Sequence, residues 1–416
     1  MHIEKLFIKK NNEYYLLMMS KKVAITGMGI ISSIGTTVEE NYNALLQNTP
    51  GISIISNIET RHKNDIMVGE IKLTNDELVK QLNLPASNNY SRTAMLGVLA
   101  AKQAVADAKI EDISDCKTGL ISATSVGGMD MSEKYYYDYF TEKEHQKYID
   151  AHHGGDATQK IAKQLGITDF VTTISTACSS SANAIMLGAR LIKSGKLDRV
   201  IVGGADCLSK FTINGFKTLM ILSDTYCTPF DENRKGLNLG EAAAFLVLES
   251  DEIIHKQDKK VLAYVSGYGN ANDAFHQTAS SENGEGATLA MQKAFKVADI
   301  LPKQIDYINA HGTATSNNDL SESKAIQRVF GSDIPDLSST KSFTGHTLAA
   351  AAAIEAVYAI LAMRHQVVFP NLNFKTAIKE TGIVPVSKLK EKNIQHVLSN
   401  SFGFGGNCST LIFSKN

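Results

Sequence analysis

The chain has 416 residues, enough for about two or three domain-sized units. Apolar residues make up 43% of it and charged residues 20%, and 42 Lys and Arg against 43 Asp and Glu leave a formal net charge of −1. This balance excludes a disordered chain and a small disulfide-stapled fold, and it gives no indication of a nucleic-acid partner.

The first 20 residues differ in composition from the rest and are interpreted as an N-terminal extension. The apolar stretch at 14–19 is too short for the core of a signal peptide. It is either a short extra strand or part of an over-long start, with Met18 or Met19 as the natural first residue. The ordered chain is expected to begin near Lys22 with a buried strand at 23–26.

Strands and helices alternate along the rest of the chain. Helices are predicted at 91–108 and 184–193, and strands at 118–124, 199–203 and 243–248. This alternation favours an α/β protein with a mostly parallel sheet.

Two features bear on compartment and membrane. The five cysteines are widely spaced, odd in number and without a CxxC pair, which favours reduced thiols in a cytoplasmic protein over disulfides or a zinc site. The longest apolar run, at 348–363, is mostly alanine and contains Glu355. We therefore predict a buried core helix there and no membrane span.

A weak internal repeat is visible. Segment 94–125 resembles 288–315, each reading as an amphipathic helix followed by a strand that ends in small residues. Segment 176–196 resembles 343–366, each a small-residue turn that opens into a long helix. The repeat predicts two related halves that meet near Lys260. The resulting division is an extension at 1–20, a first half at 21–260 and a second half at 261–416.

The strongest local motif is TACSSS at 176–181, which places Cys178 where an apolar strand gives way to a helix. Unpaired N–H groups and the positive end of the helix dipole are expected to favour the nucleophilic thiolate there. The alternative is a buried structural cysteine, the commoner role of an intracellular thiol.

Two histidines strengthen the catalytic interpretation. His311 lies in NAHGTAT just after a predicted strand, and His346 lies in KSFTGHT at the mouth of the second long helix. Because His346 takes the place in the second repeat that Cys178 takes in the first, the repeat predicts one shared pocket. A lone histidine is more often structural, but a cysteine with convergent histidines fits nucleophilic acyl chemistry.

The remaining motifs are weaker. SFGFGG at 401–406 is a turn between strands that either presents N–H groups to an oxyanion or simply closes a hairpin. His152 and His153 lack a third metal-binding partner in the sequence, and residues 133–147 predict an exposed, tyrosine-rich helix or lid. We therefore expect no metal and no dinucleotide cofactor.

Four motifs in this order, TACSSS, NAHGTAT, KSFTGHT followed by IEA, and SFGFGG, resemble a β-ketoacyl-acyl-carrier-protein synthase of the elongating type. The resemblance runs from about residue 21 to the C-terminus. It implies the thiolase fold, a duplicated five-layer αβαβα body, usually in a homodimer, with an acyl carrier protein as the substrate's bearer. It also implies an enzyme that adds two carbons by decarboxylative condensation with malonyl-carrier protein.

The resemblance assigns roles to individual residues. Cys178 would accept the acyl group, His311 and His346 would drive malonyl decarboxylation, and Lys341 with Glu355 would form a buried pair that orders the site. The remaining assignments are an oxyanion hole from the backbone of Cys178 and Phe404, a gate from Phe402 and Phe404, and substrate contacts from Thr313, Thr315, Thr278 and, in the acyl pocket, Val126.

Some positions depart from the family pattern. Asn407 and Cys408 follow GFGG where Thr-Asn or His-Asn is usual, Ser316 replaces a proline, and Met220 replaces a common docking arginine. These departures suggest a specialised synthase, in polyene, pigment or polyketide assembly, with its own carrier protein. Two alternatives stay open: a partner subunit of a heterodimer, and a thiolase-like enzyme that uses coenzyme A thioesters and a Cys–His–Cys set including Cys408.

Overall fold

The computed structural model describes residues 22–415, so the predicted extension at 1–20 lies outside it. Within that range the strands are β1 (Val23–Ser32), β2 (Ile52–Ile54), β3 (Met67–Gly69), β4 (Thr118–Ala123), β5 (Phe170–Ile174), β6 (Arg199–Asp206), β7 (Leu239–Gly240), β8 (Ala242–Ser250), β9 (Ala263–Asn272), β10 (Tyr307–Asn309), β11 (Asp336–Ser338), β12 (Val367–Val368), β13 (Lys390–Glu391), β14 (His396–Gly403) and β15 (Asn407–Ser414).

The α-helices of the same range are α1 (Val38–Leu46), α2 (Asn75–Gln81), α3 (Arg92–Asp107), α4 (Met129–Tyr135), α5 (Gln146–Ile149), α6 (Asp156–Leu165), α7 (Ser180–Lys193), α8 (Lys210–Thr218), α9 (Asp251–Gln257), α10 (Glu285–Ala298), α11 (Ser316–Phe330), α12 (Lys341–Thr344) and α13 (Ala351–His365). Short 3₁₀ turns cover Lys143–His145, Asp150–His152, Pro302–Gln304 and Leu348–Ala350.

The strand order repeats. Ten strands form one sheet in the order β11-β10-β14-β15-β9-β1-β8-β6-β4-β5. From the centre outward, the first half contributes β1, β8, β6, β4 and β5, and the second half contributes β9, β15, β14, β10 and β11. When the strands of this sheet are numbered along the chain within each half, both sets run first, fifth, fourth, second and third. Two identical orders support a division into related halves, and we infer that they meet between α9 and β9, near residue 260.

The prediction of a mostly parallel sheet is wrong. Five of the nine pairings in the sheet are antiparallel, including every pairing that involves β1, β8, β9 or β15. Parallel pairing is confined to the outer strands β4, β5 and β6 and to β10, β11 and β14. Strands β1, β6 and β8 are buried almost throughout, so their sequences are continuous apolar runs, which are typical of parallel sheets.

Five layers result from the way helices pack on the sheet. Helices α3 and α6 cover the outer face of the first half, and α10 and α11 cover that of the second. Helices α7 and α13 contact strands of both halves and form the central layer. This is the predicted thiolase-like αβαβα arrangement, which places the starts of the two central helices near each other.

The segment Leu348–His365, which includes α13, is the helix of residues 22–415 that is long and apolar enough to cross a membrane. It is 89% buried inside the protein. Its alanines allow close packing, since a Cβ on Gly204 of β6 would lie 3.0 Å from the carbonyl oxygen of Ala349. The prediction of a buried core helix is confirmed.

Candidate active site

Cys178 lies in the short loop between β5 and α7 and is 6% exposed. The preceding residue, Ala177, has a φ of 52°, in the left-handed region. The hydroxyl oxygen of Ser180 accepts a hydrogen bond from the Thr176 N–H (2.8 Å), and the same hydroxyl lies 2.5 Å from the Ala177 carbonyl oxygen. These side-chain bonds hold the loop in a tight turn that directs Cys178 into a pocket.

His346 has a defined hydrogen-bonding role. It lies just before the 3₁₀ turn that leads into α13, and its ring Nδ1 accepts a hydrogen bond from the Leu348 N–H (3.1 Å). Its own backbone N–H donates to the carbonyl of Asn238 (2.7 Å). Because Nδ1 is an acceptor, the proton of the neutral ring is on Nε2, and His346 can donate that hydrogen bond to a substrate.

His311 follows β10 by two residues and is held by its backbone. The N–H groups of His311 and Gly312 donate to the two carboxylate oxygens of Glu322, at 2.9 and 2.8 Å. The His311 and His346 rings meet edge to face with centroids 5.4 Å apart. Among residues 22–415 the Nδ1 of His311 has no hydrogen-bond partner, so either ring nitrogen can carry the proton.

Both imidazoles are neutral at pH 7. Burial lowers the pKa of His311 and of His346 well below the ordinary value, and the positive charge of Lys341 lowers both further. Lys341 pairs with the carboxylate of Glu355, and both side chains are buried. Burial raises the pKa of Glu355 to about 7, against the lowering effect of Lys341. The charge of Lys341 thus disfavours the protonated form of both rings.

The prediction that Cys178 is a thiolate at rest is wrong. Burial raises the pKa of the Cys178 thiol to about 11, although the charge of Lys341 and the backbone N–H groups of Phe404 and Cys178 lower it. Helix α7 begins only at Ser180, so Cys178 lies before its first turn. Burial in a low-dielectric pocket thus outweighs the helix dipole and favours the thiol form of Cys178 at pH 7.

A pH profile tests this protonation state. Alkylation of Cys178 by iodoacetamide, followed by peptide mass spectrometry, should accelerate by about tenfold per pH unit from pH 7 to pH 9, because only the thiolate reacts. In the urea-unfolded chain the rate should level off near the ordinary thiol pKa of about 8.5. A plateau below pH 8 in the folded protein would contradict the raised pKa.

The pocket that holds Cys178 has a volume of about 740 Å³, counting its open mouth. Residues of α8 and α11, the turn 403–406 and an exposed loop at 274–278 contribute to this pocket. Of the residues predicted from sequence, those lining it are Cys178, His311, His346, Thr313, Thr315, Thr278, Phe402 and Phe404; Cys408 lines it too. The Phe404 ring stacks on Phe216 with centroids 5.9 Å apart.

Val126 does not line this pocket. It lies in a separate cavity with Phe211 and His152. The backbone N–H groups of Ser125 and Val126 face the carboxylate of Asp206, at 2.9 and 3.4 Å, and this fixes the loop after β4. Within residues 22–415 the expected contact of Val126 with the chamber of Cys178 is therefore not found.

Sequence reasoning missed three polar residues that build the site. Asp206 ends the buried strand β6 and accepts a hydrogen bond from the Ala349 N–H at 2.9 Å, and Glu322 holds the His311 loop. Asn407 joins the turn 403–406 to α7. A carboxylate at the end of an apolar strand was a usable signal for Asp206, whereas Glu322 acts from helix α11 across 11 residues and Asn407 acts on residues that are distant in the chain.

Comparisons with known proteins agree with this geometry. The family model "Beta-ketoacyl synthase, N-terminal domain" matches residues 20–253, and "Beta-ketoacyl synthase, C-terminal domain" matches 262–375. The chain is 34% identical to the 3-oxoacyl-[acyl-carrier-protein] synthase 2 of Staphylococcus aureus (strain N315), over 95% of this chain and 99% of that protein.

Two solved structures are similar over nearly the full chain. The ishigamide ketosynthase/chain length factor superposes with a TM-score of 0.89 at 30% identity, covering 95% of this chain and 99% of that one. A type II PKS acyl-carrier protein in complex with its ketosynthase bound to the hexaketide gives 0.84 at 25% identity, covering 95% and 100%. The chain belongs to the β-ketoacyl synthase family.

Proposed function

We propose that the protein is an elongating 3-oxoacyl-[acyl-carrier-protein] synthase. It would condense malonyl-carrier protein with an acyl group held on Cys178 and release CO₂. The observation that carries the proposal is one pocket with a buried thiol, Cys178, and two neutral imidazoles, those of His311 and His346. The relatives named as carrier-protein synthases support the same substrate class.

The first step is acyl transfer. The sulfur of Cys178 attacks the carbonyl of an acyl thioester, the bond from that carbonyl to the carrier's sulfur breaks, and the carrier leaves as a thiol with the proton that Cys178 gives up. The negative charge on the tetrahedral oxygen would be met by the backbone N–H groups of Cys178 and Phe404. Both already lower the pKa of the Cys178 thiol, so both face its sulfur.

The second step is decarboxylation and condensation. Malonyl-carrier protein enters, the bond to its carboxylate breaks, and the electron pair moves to the thioester oxygen as an enolate. His346 would donate from Nε2 to that oxygen, and His311 would donate beside it. The carboxylate leaves as CO₂, and the enolate carbon then attacks acyl-Cys178. The Cys178 sulfur leaves and takes a proton from solvent, and the product stays on the carrier.

The other predicted residues have supporting roles in the proposal. Burial and the charge of Lys341, which pairs with Glu355, would keep both imidazoles neutral, and Phe402 with Phe404 would gate the chamber. Thr313 and Thr315 would hydrogen-bond the phosphopantetheine arm and Thr278 would contact the substrate, since all three residues line the pocket. The reaction balances without a redox group or a metal, and we place it in the cytoplasm.

We also propose a dimer, with either a second copy or a chain length factor as the partner. The solved ketosynthase/chain length factor supports the second form. Strand β5 lies at the edge of the sheet with all five residues half-buried, and Tyr136, Tyr137 and Phe140 nearby in sequence to α4 are exposed. An unpaired strand edge and exposed aromatic side chains are both suited to a partner chain.

Intact-protein mass spectrometry tests the function. The purified chain is mixed with a panel of acyl-carrier proteins, with and without malonyl-carrier protein. We expect an acyl adduct on Cys178 that discharges to a product two carbons longer. An adduct with free acetyl-CoA and no carrier would instead support the thiolase-like alternative. No adduct from any carrier, alone or with a chain length factor added, would contradict the proposed function.

A further inference from the structure

A polar cluster lies behind the glycine-rich turn 403–406. It joins three segments that are far apart in the chain: the start of α7, strand β9 and strand β15. We call it the Asn407 cluster, and it consists of Thr176, Ser179, Asn183, Asn270, Asn407 and Ser409.

Asn407 acts in this cluster through its amide oxygen. That Oδ1 lies 2.7 Å from the Ser179 hydroxyl, and it accepts hydrogen bonds from the side-chain amides of Asn183 (2.9 Å) and Asn270 (3.0 Å). Ser179 is fully buried, and Asn183 and Asn270 are half-buried. Each donor also has another acceptor: Ser179 has the Thr176 carbonyl, Asn183 the Thr176 hydroxyl and Asn270 the side-chain oxygen of Asn183. Removal of Asn407 Oδ1 would therefore break the link from these groups to the turn and leave the half-buried Asn183 amide with one of its two N–H groups unpaired.

The cluster also fixes the turn. Asn407 is the register partner of Gly403, and these two residues close the β14–β15 hairpin. A Cβ at Gly403 would lie only 2.6 Å from the carbonyl oxygen of Thr176, so the turn packs directly on the loop that carries Cys178. The same turn carries Phe404, whose N–H lowers the pKa of Cys178.

The two N–H groups that face the sulfur thus come from different segments. One belongs to Cys178, before α7, and the other to Phe404, in the β14–β15 turn. Their separation depends on contacts between those segments, and Asn407 bonds Ser179, the residue next to the nucleophile. An oxyanion hole works only when both donors are aimed at the same point before the charge develops.

We propose that Asn407 is a positioning residue that sets the oxyanion hole by fixing the Phe404 N–H relative to the Cys178 N–H. This inference rests on the proposed function, since it assigns a determinant of the acyl-transfer step. It also gives a structural reason for an asparagine at a position where the resemblance predicts threonine or histidine.

The test compares two reactions of the same thiol. Acylation of Cys178 by a short acyl thioester builds an oxyanion, whereas alkylation by iodoacetamide does not. Rate constants for both are measured at several pH values in wild type, Asn407→Leu, Asn407→Thr and Asn43→Leu. Leucine has a similar shape without the acceptor, threonine restores an acceptor oxygen, and Asn43 is an exposed control on α1.

We expect the ratio of acylation to alkylation to fall by about 10- to 100-fold in Asn407→Leu, somewhat less than the loss of an entire oxyanion-hole donor. In Asn407→Thr it should stay within about threefold of wild type, as in Asn43→Leu. A general loss of structure would expose Cys178 and speed its alkylation, and it would lower the melting temperature. The inference therefore requires that acylation slows while the alkylation rate and the melting temperature stay near those of wild type.

Two results would overturn the inference: an unchanged ratio in Asn407→Leu, or equal losses in the leucine and threonine variants. Should Asn407→Leu fail to fold, Ser179→Ala removes the same link from the α7 side and must lower the ratio in the same direction. If wild type itself forms no acyl adduct on Cys178, the proposed function fails. If wild type acylates and the variants do so equally well, only the role of Asn407 fails.

Discussion

Cys178→Ala should abolish condensation, with a loss of at least about 10³-fold in turnover, because no other group can hold the acyl intermediate. The acyl adduct seen by intact mass should disappear at the same time. The imidazoles of His311 and His346 stay in place, so slow decarboxylation of malonyl-carrier protein without product should remain measurable. Turnover and CO₂ release, measured in parallel, check both expectations.

Two matched cysteine variants make the result specific. Cys116→Ala, at a half-buried thiol before β4, should leave turnover unchanged. Cys408→Ala should lose less than tenfold, because the steps proposed above use only one thiol. If Cys408→Ala were as inactive as Cys178→Ala, a Cys–His–Cys thiolase-like mechanism would be favoured. Retention of full activity in Cys178→Ala would exclude the assigned nucleophile.

Glu355→Ala should destabilise the fold by about 3–5 kcal/mol, because it leaves the buried ammonium of Lys341 without its partner. Lys341 is 3% exposed and Glu355 is 1% exposed, so water cannot replace the lost carboxylate. Activity should fall by more than tenfold even in the folded fraction. Urea unfolding followed by far-UV circular dichroism gives the free energy, and steady-state kinetics gives the activity.

A double variant separates the two contributions of this pair. Lys341→Met combined with Glu355→Leu removes both charges and fills the space with apolar groups, so most of the lost stability should return. Activity should not return, since burial raises the pKa of the Cys178 thiol and the charge of Lys341 that partly offsets this effect is gone. A double variant as active as wild type would refute the role of Lys341. Equal stability of wild type and Glu355→Ala would show that the pair is energetically neutral.

Much of the fold could be predicted because local patterns determine it. The helix predicted at 91–108 is Arg92–Asp107, and the strand predicted at 118–124 is Thr118–Ala123. The repeat indicated two halves because each carries the same helix–strand pattern. Strand direction could not be predicted, since β1 and β8 are buried on both faces and lack the alternation that marks a one-sided sheet.

The site was predictable only as far as residue type and position in an element reveal chemistry. A cysteine before a helix and two histidines at element ends indicated acyl transfer, but their proton states depend on burial and on Lys341. The protonated thiol of Cys178 follows from packing around its sulfur. The link from Asn407 to Ser179 joins segments that no local pattern connects, and the link from Glu322 to His311 depends on how helix α11 folds back on the loop 11 residues before it.

The two halves share one architecture but contribute different functional groups. After β10 the chain presents His311, whereas after β4, the same strand of the first half, it presents Thr124, which bonds the carboxylate of Asp206. That carboxylate also accepts a hydrogen bond from the Ala349 N–H, so it links the loop after β4 to the 3₁₀ turn before α13. A protein made of two first halves would have the Cys178 thiol twice and neither imidazole. A protein made of two second halves would have the imidazoles of His311 and His346 and lack the Cys178 thiol. Each half thus supplies groups that the other lacks, and the proposed site needs both.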